Sequence, residues 1–478
     1  MFQDENRLAF LAMIRESPDD LGVRMRYADW LEDERNFDTP EKQKSARDLG
    51  EFIRIGCALF EISDENPPDE RMEKLMVEAH NLVGRHLQDW EAEIRSPLNW
   101  HKHVYITYDR GLPHKLMLKD HSDSLIPALL DSNLLNLATN TLMALEAAGT
   151  IKNADMVRLA GYSGLSHLTS LEFVLNSIEV AGIQALAASP YLSRLTSLII
   201  SWNNIGDTGA RALAESPYLS CLTSLNLERN GIGVIGTQAL AGPESRLKKL
   251  SNLSLARNNI GNAGAQALAN SPILSGLTSL NLRECGINGA GIQALAGEQS
   301  RLRLSSLDLD NNHFRVADIE AMMQCPRLSG LSRLDLRENR IGITAARTLA
   351  ACQYLSGLSC LDLGNNRIDV AGVVALFRSQ STLKNLSNLI LDHNNIGNAG
   401  AKALANSPIL SGLTNLDIRG NAIGAAGERA LAASTVFKPS MLITTDDFKG
   451  SFERFRFREE CRQKQNPKPG RKEKGREQ

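Results

Sequence analysis

The chain has 478 residues and is 42% hydrophobic, long enough for more than one packed unit and ordinary for a folded soluble protein. Its 53 basic and 55 acidic residues leave a net charge of −2, which gives no global reason to expect nucleic acid or an anionic membrane as partner. The seven scattered cysteines suggest reduced thiols of a cytosolic protein rather than a disulfide frame. No run approaches the roughly 20 apolar residues that span a bilayer, and the start MFQDENRLAFLAMIRESPDD mixes charge into its only apolar run, unlike a secretory signal. A cytoplasmic location is expected.

In chain order, ENRLAFLAMIRE (5–16) reads as a helix stopped by Ser17-Pro18, after which Asp19 and Asp20 supply acceptors for a second helix, LGVRMRYADWLEDE. NFDTPEKQKSA is expected to be a loop before a third helix near RDLGEFIRIGCALFEI. A fourth begins at Asp69 after Pro67-Pro68, with Leu75, Ala79, Leu82, Val83, Leu87 and Trp90 on one stripe. A helical domain is therefore expected over 1–104. Residues 105–143 read as a transition and cap, in which HKLMLKDHSDSLIPALLDS runs strand then helix.

From about Ala144 the chain repeats itself. Leucines open the same short pattern at Leu171, Leu198, Leu225, Leu253, Leu280, Leu307, Leu334, Leu361, Leu389 and Leu416. In LSLARNNIGNAGAQALANSPILSGLTS, Leu253, Leu255 and Ile260 alternate inward as a short strand, glycines turn the chain, and AGAQALAN forms a helix. A proline closes that helix at Pro190, Pro217, Pro272 and Pro408. Five residues after each anchor stand Asn176, Asn203, Asn230, Asn258, Cys285, Asn312, Asn339, Asn366, Asn394 and Asn421. Such a column is expected to be a buried ladder whose donors and acceptors satisfy the backbone of neighbouring turns. Met441–Thr444 has the position of a last strand, and Phe448, Phe452, Phe455 and Phe457 are expected to cover it. The solenoid is placed at 144–445 and a cap with a disordered basic tail at 446–478, since QKQNPKPGRKEKGREQ is polar, charged and Pro/Gly-bearing.

These units resemble the ribonuclease-inhibitor type of leucine-rich repeat. The resemblance implies an α/β solenoid, a horseshoe with a parallel sheet on its concave side and helices on its convex side. Strands stacking about 4.8 Å apart under helices that need roughly 8–10 Å would curve in that sense. A second resemblance rests on YADWLEDE (Tyr27–Glu34), EFIRIGCAL (Glu51–Leu59) and RGLPHKLML (Arg110–Leu118). Together they look like the N-terminal repeat-companion domain of planctomycete-type leucine-rich repeat proteins, from which the NFDTPEKQKSA insertion departs. That resemblance implies an architecture and a bacterial setting but no activity.

Signals of catalysis are weak. GIGVIG (Gly231–Gly236) matches a dinucleotide-binding fingerprint, but NIGDTG stands at the same place one repeat earlier, so these glycines belong to the turn. His101, His103, His114 and His121 lack metal-ligand spacing. The acids of Trp30–Glu34 read as a solvated helix end, and Cys461 has no histidine beside it in sequence. No cofactor is implied.

Strand alternation makes the positions one before and one, three and four after each anchor the exposed concave ones. They carry Trp202, Glu228, Arg229, Arg257, Arg283, Glu284, Asp308, Asp310, Asp335, Arg337, Glu338, Asp362, Asp392, His393, Asp417 and Arg419. A surface containing Trp and Arg suits protein binding. The expected function is a non-enzymatic, monomeric scaffold that binds a protein on this face. The alternatives are a regulator of an enzyme, GTPase-activating or ubiquitin-ligase-like, or weak nucleic-acid binding through the basic tail.

Overall fold

The computed structural model describes residues 5–62 apart from 18, then 74–79, 81–82, 104–109, 112–120, 129–130 and 142–149, and finally 151–445 apart from 439. The chain divides into two compact units, Met1–Asn230 and Gly231–Gln478. The division falls inside the repeats.

The first unit opens with helices α1 (Glu5–Glu16), α2 (Leu21–Glu32) and α3 (Pro40–Ile62). Asp20 caps α2 by accepting from the Val23 N–H at 3.2 Å, which fixes the start of that helix. NFDTPEKQKSA is not the expected loop: all but its first residues form the opening turns of α3. Pro40 suits a first helical position, and Thr39 Oγ1 accepts from the Lys42 N–H at 3.3 Å. The helices enclose Leu11, Ile14, Tyr27, Leu31, Phe37 and Ile53, with Trp30 stacked on Tyr27 at 6.0 Å. Of the expected fourth-helix stripe, Leu75, Ala79 and Leu82 pack against Phe52 and Ile55 of α3. Val83, Leu87 and Trp90 lie outside the described residues.

Strands β1 (Val104–Asp109) and β2 (Leu112–Asp120) form an antiparallel hairpin: β2 contains the strand expected at HKLMLKD, whereas β1 and its pairing were not foreseen. β2 pairs in parallel with β3 (Ala144–Gly149), and β4 (Ser170–Val174), β5 (Ser197–Ile199) and β6 (Ser224–Asn226) follow in order. Helices α4 (Asn153–Ala160), α5 (Val180–Ala187) and α6 (Gly206–Glu215) connect them.

The second unit repeats the scheme. Its strands are β7 (Asn252–Ser254), β8 (Ser279–Asn281), β9 (Ser306–Asp308), β10 (Arg333–Asp335), β11 (Cys360–Asp362), β12 (Asn388–Ile390), β13 (Asn415–Asp417) and β14 (Leu442–Thr444). All are parallel and in register, anchor leucine beside anchor leucine, as in Leu334↔Leu361. The helices run from α7 (Val234–Ala241) to α14 (Ala425–Ala432).

Register follows from burial, because a shift of one residue would turn every anchor leucine to solvent. Leu334, Leu361, Leu389 and Leu416 are 0% exposed. The helix side is tied by the serines that precede the prolines. The Ser271 hydroxyl donates to Ala241 O at 2.7 Å, and the Ser407 hydroxyl to Phe377 O at 2.6 Å. Each satisfies a carbonyl at the end of the preceding helix that has no partner within it.

Candidate functional site: the strand face

Each of the ten strands from β4 to β13 ends in the same device. The residue four after the anchor has positive φ, at Trp202 (60°), Arg229 (50°), Arg257 (56°), Glu284 (50°), Glu338 (57°) and His393 (50°). This left-handed residue drops the chain from the strand into the turn, so the next residue points inward. There the asparagines bond across repeats. The Asn366 amide donates to Leu336 O at 2.8 Å, while its Oδ1 accepts from Asn339 N (2.9 Å) and Ile341 N (3.2 Å). Asn312, Asn339, Asn394 and Asn421 make the corresponding bonds within the second unit. Asn258 accepts from Ile232 N there, at 2.9 Å. Asn176, Asn203 and Asn230 donate to Ala147, Phe173 and Ile200 carbonyls in the first. At Cys285 the thiol donates to Leu255 O at 3.1 Å. Burial pushes that thiol up to about 12, so it stays protonated.

A second periodic role belongs to the residue one after the anchor. Its side-chain oxygen accepts the N–H two residues on, in Asp308→Asp310 (3.0 Å), Asp335→Arg337 (3.0 Å), Asp362→Gly364 (2.8 Å) and Asp417→Arg419 (3.2 Å). Part of the acidic column therefore ends strands by an Asx turn.

In the first unit the Arg229 guanidinium lies 3.9 Å above the Trp202 ring centroid, within cation–π range. Glu228 is half-buried. Lys115 on β2 bridges Glu146 (2.5 Å) and Glu172 (2.8 Å) of the next two strands, and the two carboxylates outweigh its partial burial and raise its pKa. Sequence reasoning missed this cluster because Lys115 and Glu146 precede the regular copies, which begin with Leu171 beside Glu172. Counting back from Leu171 to Leu145 would have found both acids.

In the second unit the charges interlock. Arg257 pairs with Glu284 at 3.2 Å, and Arg283 with Glu284 (3.3 Å) and Asp310 (3.1 Å). Arg337 holds Asp392 in two bonds, Nη1–Oδ1 at 2.7 Å and Nη2–Oδ2 at 2.9 Å, and lies 3.8 Å from Glu338. His393 Nδ1 meets Asp392 at 2.7 Å, and Arg419 pairs with Asp417 at 2.6 Å.

The Arg337–Asp392 pair joins β10 to β12 and skips β11, and Gly364 makes that possible. A Cβ at Gly364 would collide with both Arg337 Nη1 and Asp392 Oδ1. Gly364 was not singled out from sequence, although no other copy has glycine three residues after its anchor.

Three acids expected to be exposed are buried: Asp310 (3% exposed), Asp362 (8%) and Asp392 (4%). Arg283 pairs with the first and Arg337 with the third, so neighbouring side chains reach the positions that alternation alone assigns to solvent. Burial of the carboxyl pushes Asp310 and Asp362 up to about 7, and Asp335, facing Asp308 as well, to about 6. Burial would raise Asp392 too, but Arg337 and His393 outweigh it and hold that carboxyl below its usual range.

The remaining candidates take no part in a reactive grouping. Among the acids of Trp30–Glu34, Glu32 pairs with Arg54 and Asp33 with Arg35. Gly233 of GIGVIG is the residue before α7. Among the described residues no group of three or more His, Cys, Asp or Glu is placed to hold a metal, and no helix is long and apolar enough to cross a membrane. His101, His103, His121, Cys461, the phenylalanines beyond Phe437 and the basic tail lie outside the described residues.

A family profile described as leucine rich repeat matches residues 164–187, 192–214, 218–241, 247–269, 277–296, 358–377 and 382–405. No curated protein matches the chain. Among solved structures, an internalin from Listeria monocytogenes is 20% identical, covering 76% of this chain and 95% of its own, with a TM-score of 0.40. The structure of the Rad7 and Elc1 complex in yeast is 16% identical over 84% and 94%, with a TM-score of 0.48. Between residues 297 and 357, where the profile has no match, β9, α10 (Val316–Met322), β10 and α11 (Gly342–Ala351) keep the same register. The strand–turn–helix units of this chain are leucine-rich repeats, seven of them recognisable by sequence profile alone.

Proposed function

We propose that the strand face of the repeats, concave in the expected horseshoe, binds a protein and that the chain is a non-enzymatic scaffold. Leucine-rich repeats serve generally in protein interaction. The supporting observation is that large and charged groups on this face are already held in one geometry, Arg337 by two bonds to Asp392 and Trp202 beneath Arg229. Ordering such side chains ordinarily costs about 0.5–1.5 kcal/mol each on association, and here much of that ordering precedes binding. Trp202, Arg229, Arg257 and Arg337 are the anchors of this reading, since Trp and Arg dominate interface hot spots, and the flanking carboxylates set which partner is accepted. Residues 1–104 act as a repeat-companion domain of bacterial type, and the protein works in the cytoplasm, the compartment that its odd number of scattered cysteines favours.

The test is capture from lysate by wild-type protein and by Trp202→Ala combined with Arg337→Ala. Loss of a captured protein, with the variant still folded at the capture temperature, supports the reading. An identical capture profile contradicts it.

A further inference from the structure

At the end of the strands in the second unit, three consecutive repeats depart from the rest in the turn that follows the ladder asparagine. Six residues line a cavity of about 200 Å³ there: Asn311, His313, Glu338, Arg340, Asn365 and Arg367. All six have positive φ, between 51° and 58°. They flank Asn312, Asn339 and Asn366, so each repeat turns two side chains out on either side of its ladder residue.

The backbone at these positions suits glycine. Gly231, Gly286 and Ala422 occupy the site of His313, Arg340 and Arg367 in other repeats, with φ of 69°, 70° and 53°. Asparagine and histidine tolerate this region, whereas arginine is strained in it. Arg340 and Arg367 thus accept strain, and with His313 they place cationic or protonatable groups one above another in three neighbouring repeats, about 5 Å apart by the spacing of parallel strands. All three are exposed. Among the described residues none of these three side chains makes a hydrogen bond or ion pair. Arg257, Arg283, Arg337 and Arg419 of the adjoining strand face are by contrast each paired with a carboxylate, while Arg333, at an unstrained strand position, is not. Strain held together with unpaired charge marks a functional position better than either does alone.

We propose that this cavity binds a phosphoryl group, as inorganic phosphate or as a phosphorylated side chain. A guanidinium offers planar, paired N–H donors that match phosphate oxygens, and two of them face this cavity from successive repeats. The cavity is open to solvent and has room for one phosphate. The Asn365 amide supplies a neutral donor, while the Asn311 side chain bonds Glu284. Glu338, half-buried and 3.8 Å from Arg337, adds an acceptor that selects the ligand's protonation state. A hydrogen phosphate or phosphomonoester monoanion can donate its O–H to Glu338, whereas sulfate has no proton to give. The site lies beside the proposed protein-binding face and does not depend on it.

The test is calorimetric titration of the full chain with inorganic phosphate, with sulfate at matched ionic strength, and with a phosphoserine peptide beside its unphosphorylated form. Wild-type protein is expected to bind phosphate or the phosphopeptide with a dissociation constant on the order of 1 mM or tighter. Sulfate and the plain peptide bind at least about tenfold more weakly, since removing one charged hydrogen bond costs about that factor. Arg340→Gly with Arg367→Gly removes both guanidinium groups while relieving the backbone, so it is expected to abolish binding and raise the melting temperature. Arg340→Gln with Arg367→Gln keeps the strain and is expected to lose binding without the gain in stability. Binding of the phosphopeptide alone assigns the site to a phosphorylated partner, and binding of both assigns it to the phosphoryl group itself. Absence of wild-type binding, or unchanged binding in both double variants, overturns the proposal. Equal binding of sulfate overturns the role of Glu338.

Discussion

Asn339→Ala is the sharpest perturbation of the ladder. The Asn339 amide donates to Leu309 O at 2.9 Å and Arg337 O at 3.0 Å, and its Oδ1 accepts from Asn312 N at 2.9 Å and Phe314 N at 3.3 Å. The residue is 0% exposed. Truncation leaves two N–H groups and two carbonyls buried without that partner, each costing about 1 kcal/mol or more. Water entering the space left by the amide recovers part of this. A net loss of about 3 kcal/mol is expected, which with a slope of about 1–3 kcal/mol/M lowers the urea midpoint by about 1 M or more. The assay is urea denaturation followed by far-UV circular dichroism, with exposed Asn259→Ala as control, expected within about 0.5 kcal/mol of wild type. An Asn339→Ala midpoint equal to that of the control would refute the account of the ladder as the hydrogen-bonding spine of the array.

Gly364→Ala is expected to displace Arg337 from Asp392, leaving a buried carboxylate with only His393 beside it. Thermal melting should show a loss of about 1–3 kcal/mol, and unchanged stability would mean the pair reforms by another route. Cys285→Asn restores an amide to the one ladder position that lacks it and should raise the urea midpoint by the equivalent of about 1 kcal/mol; a lower midpoint would show that the pocket is shaped for sulfur. The raised carboxyls give a pH dependence of definite sign. Asp310 and Asp362 at about 7 and Asp335 at about 6 hold protons in the folded chain that the unfolded chain, near 3.9, releases. Their ionisation penalty is present at high pH and is relieved as pH falls through those values, so stability rises from about pH 8 to pH 5. Asp335→Asn with Asp362→Asn should flatten that slope in melts across the range, and an unaltered slope would place its origin elsewhere.

Much of the fold is written in the period of the chain. The anchor leucines, the asparagine column and the proline stops recur at a fixed spacing, and parallel pairing leaves such a pattern one register, so β3 to β14 follow from counting. The NFDTPEKQKSA segment misled because its polar composition resembles a loop. Composition carried less weight there than the local chemistry of Thr39 and Pro40, which start α3 early. The β1–β2 hairpin has no repeat to announce it.

The strand face was legible only as a set of positions. Alternation says which side a residue starts toward, not which neighbour covers it, and Asp310, Asp362 and Asp392 are buried because arginines and turns of adjoining repeats reach over them. Gly364 shows the same limit from the other side, for its meaning lies in an arginine one repeat before and an aspartate one repeat after. The left-handed residues that line the proposed phosphoryl site are also silent in sequence, since a positive φ at arginine runs against preference.

The most direct test of the scaffold reading is site-specific photocrosslinking in cells. A photoreactive residue at Asn252, exposed on the strand face, is compared with one at Asn270, exposed at the end of helix α8 (Gly261–Asn270). The account predicts a discrete crosslinked protein from Asn252 that is absent from Asn270 and is lost when Trp202→Ala and Arg337→Ala are added. Crosslinks of equal yield from both positions, or a crosslink from Asn270 alone, would contradict it.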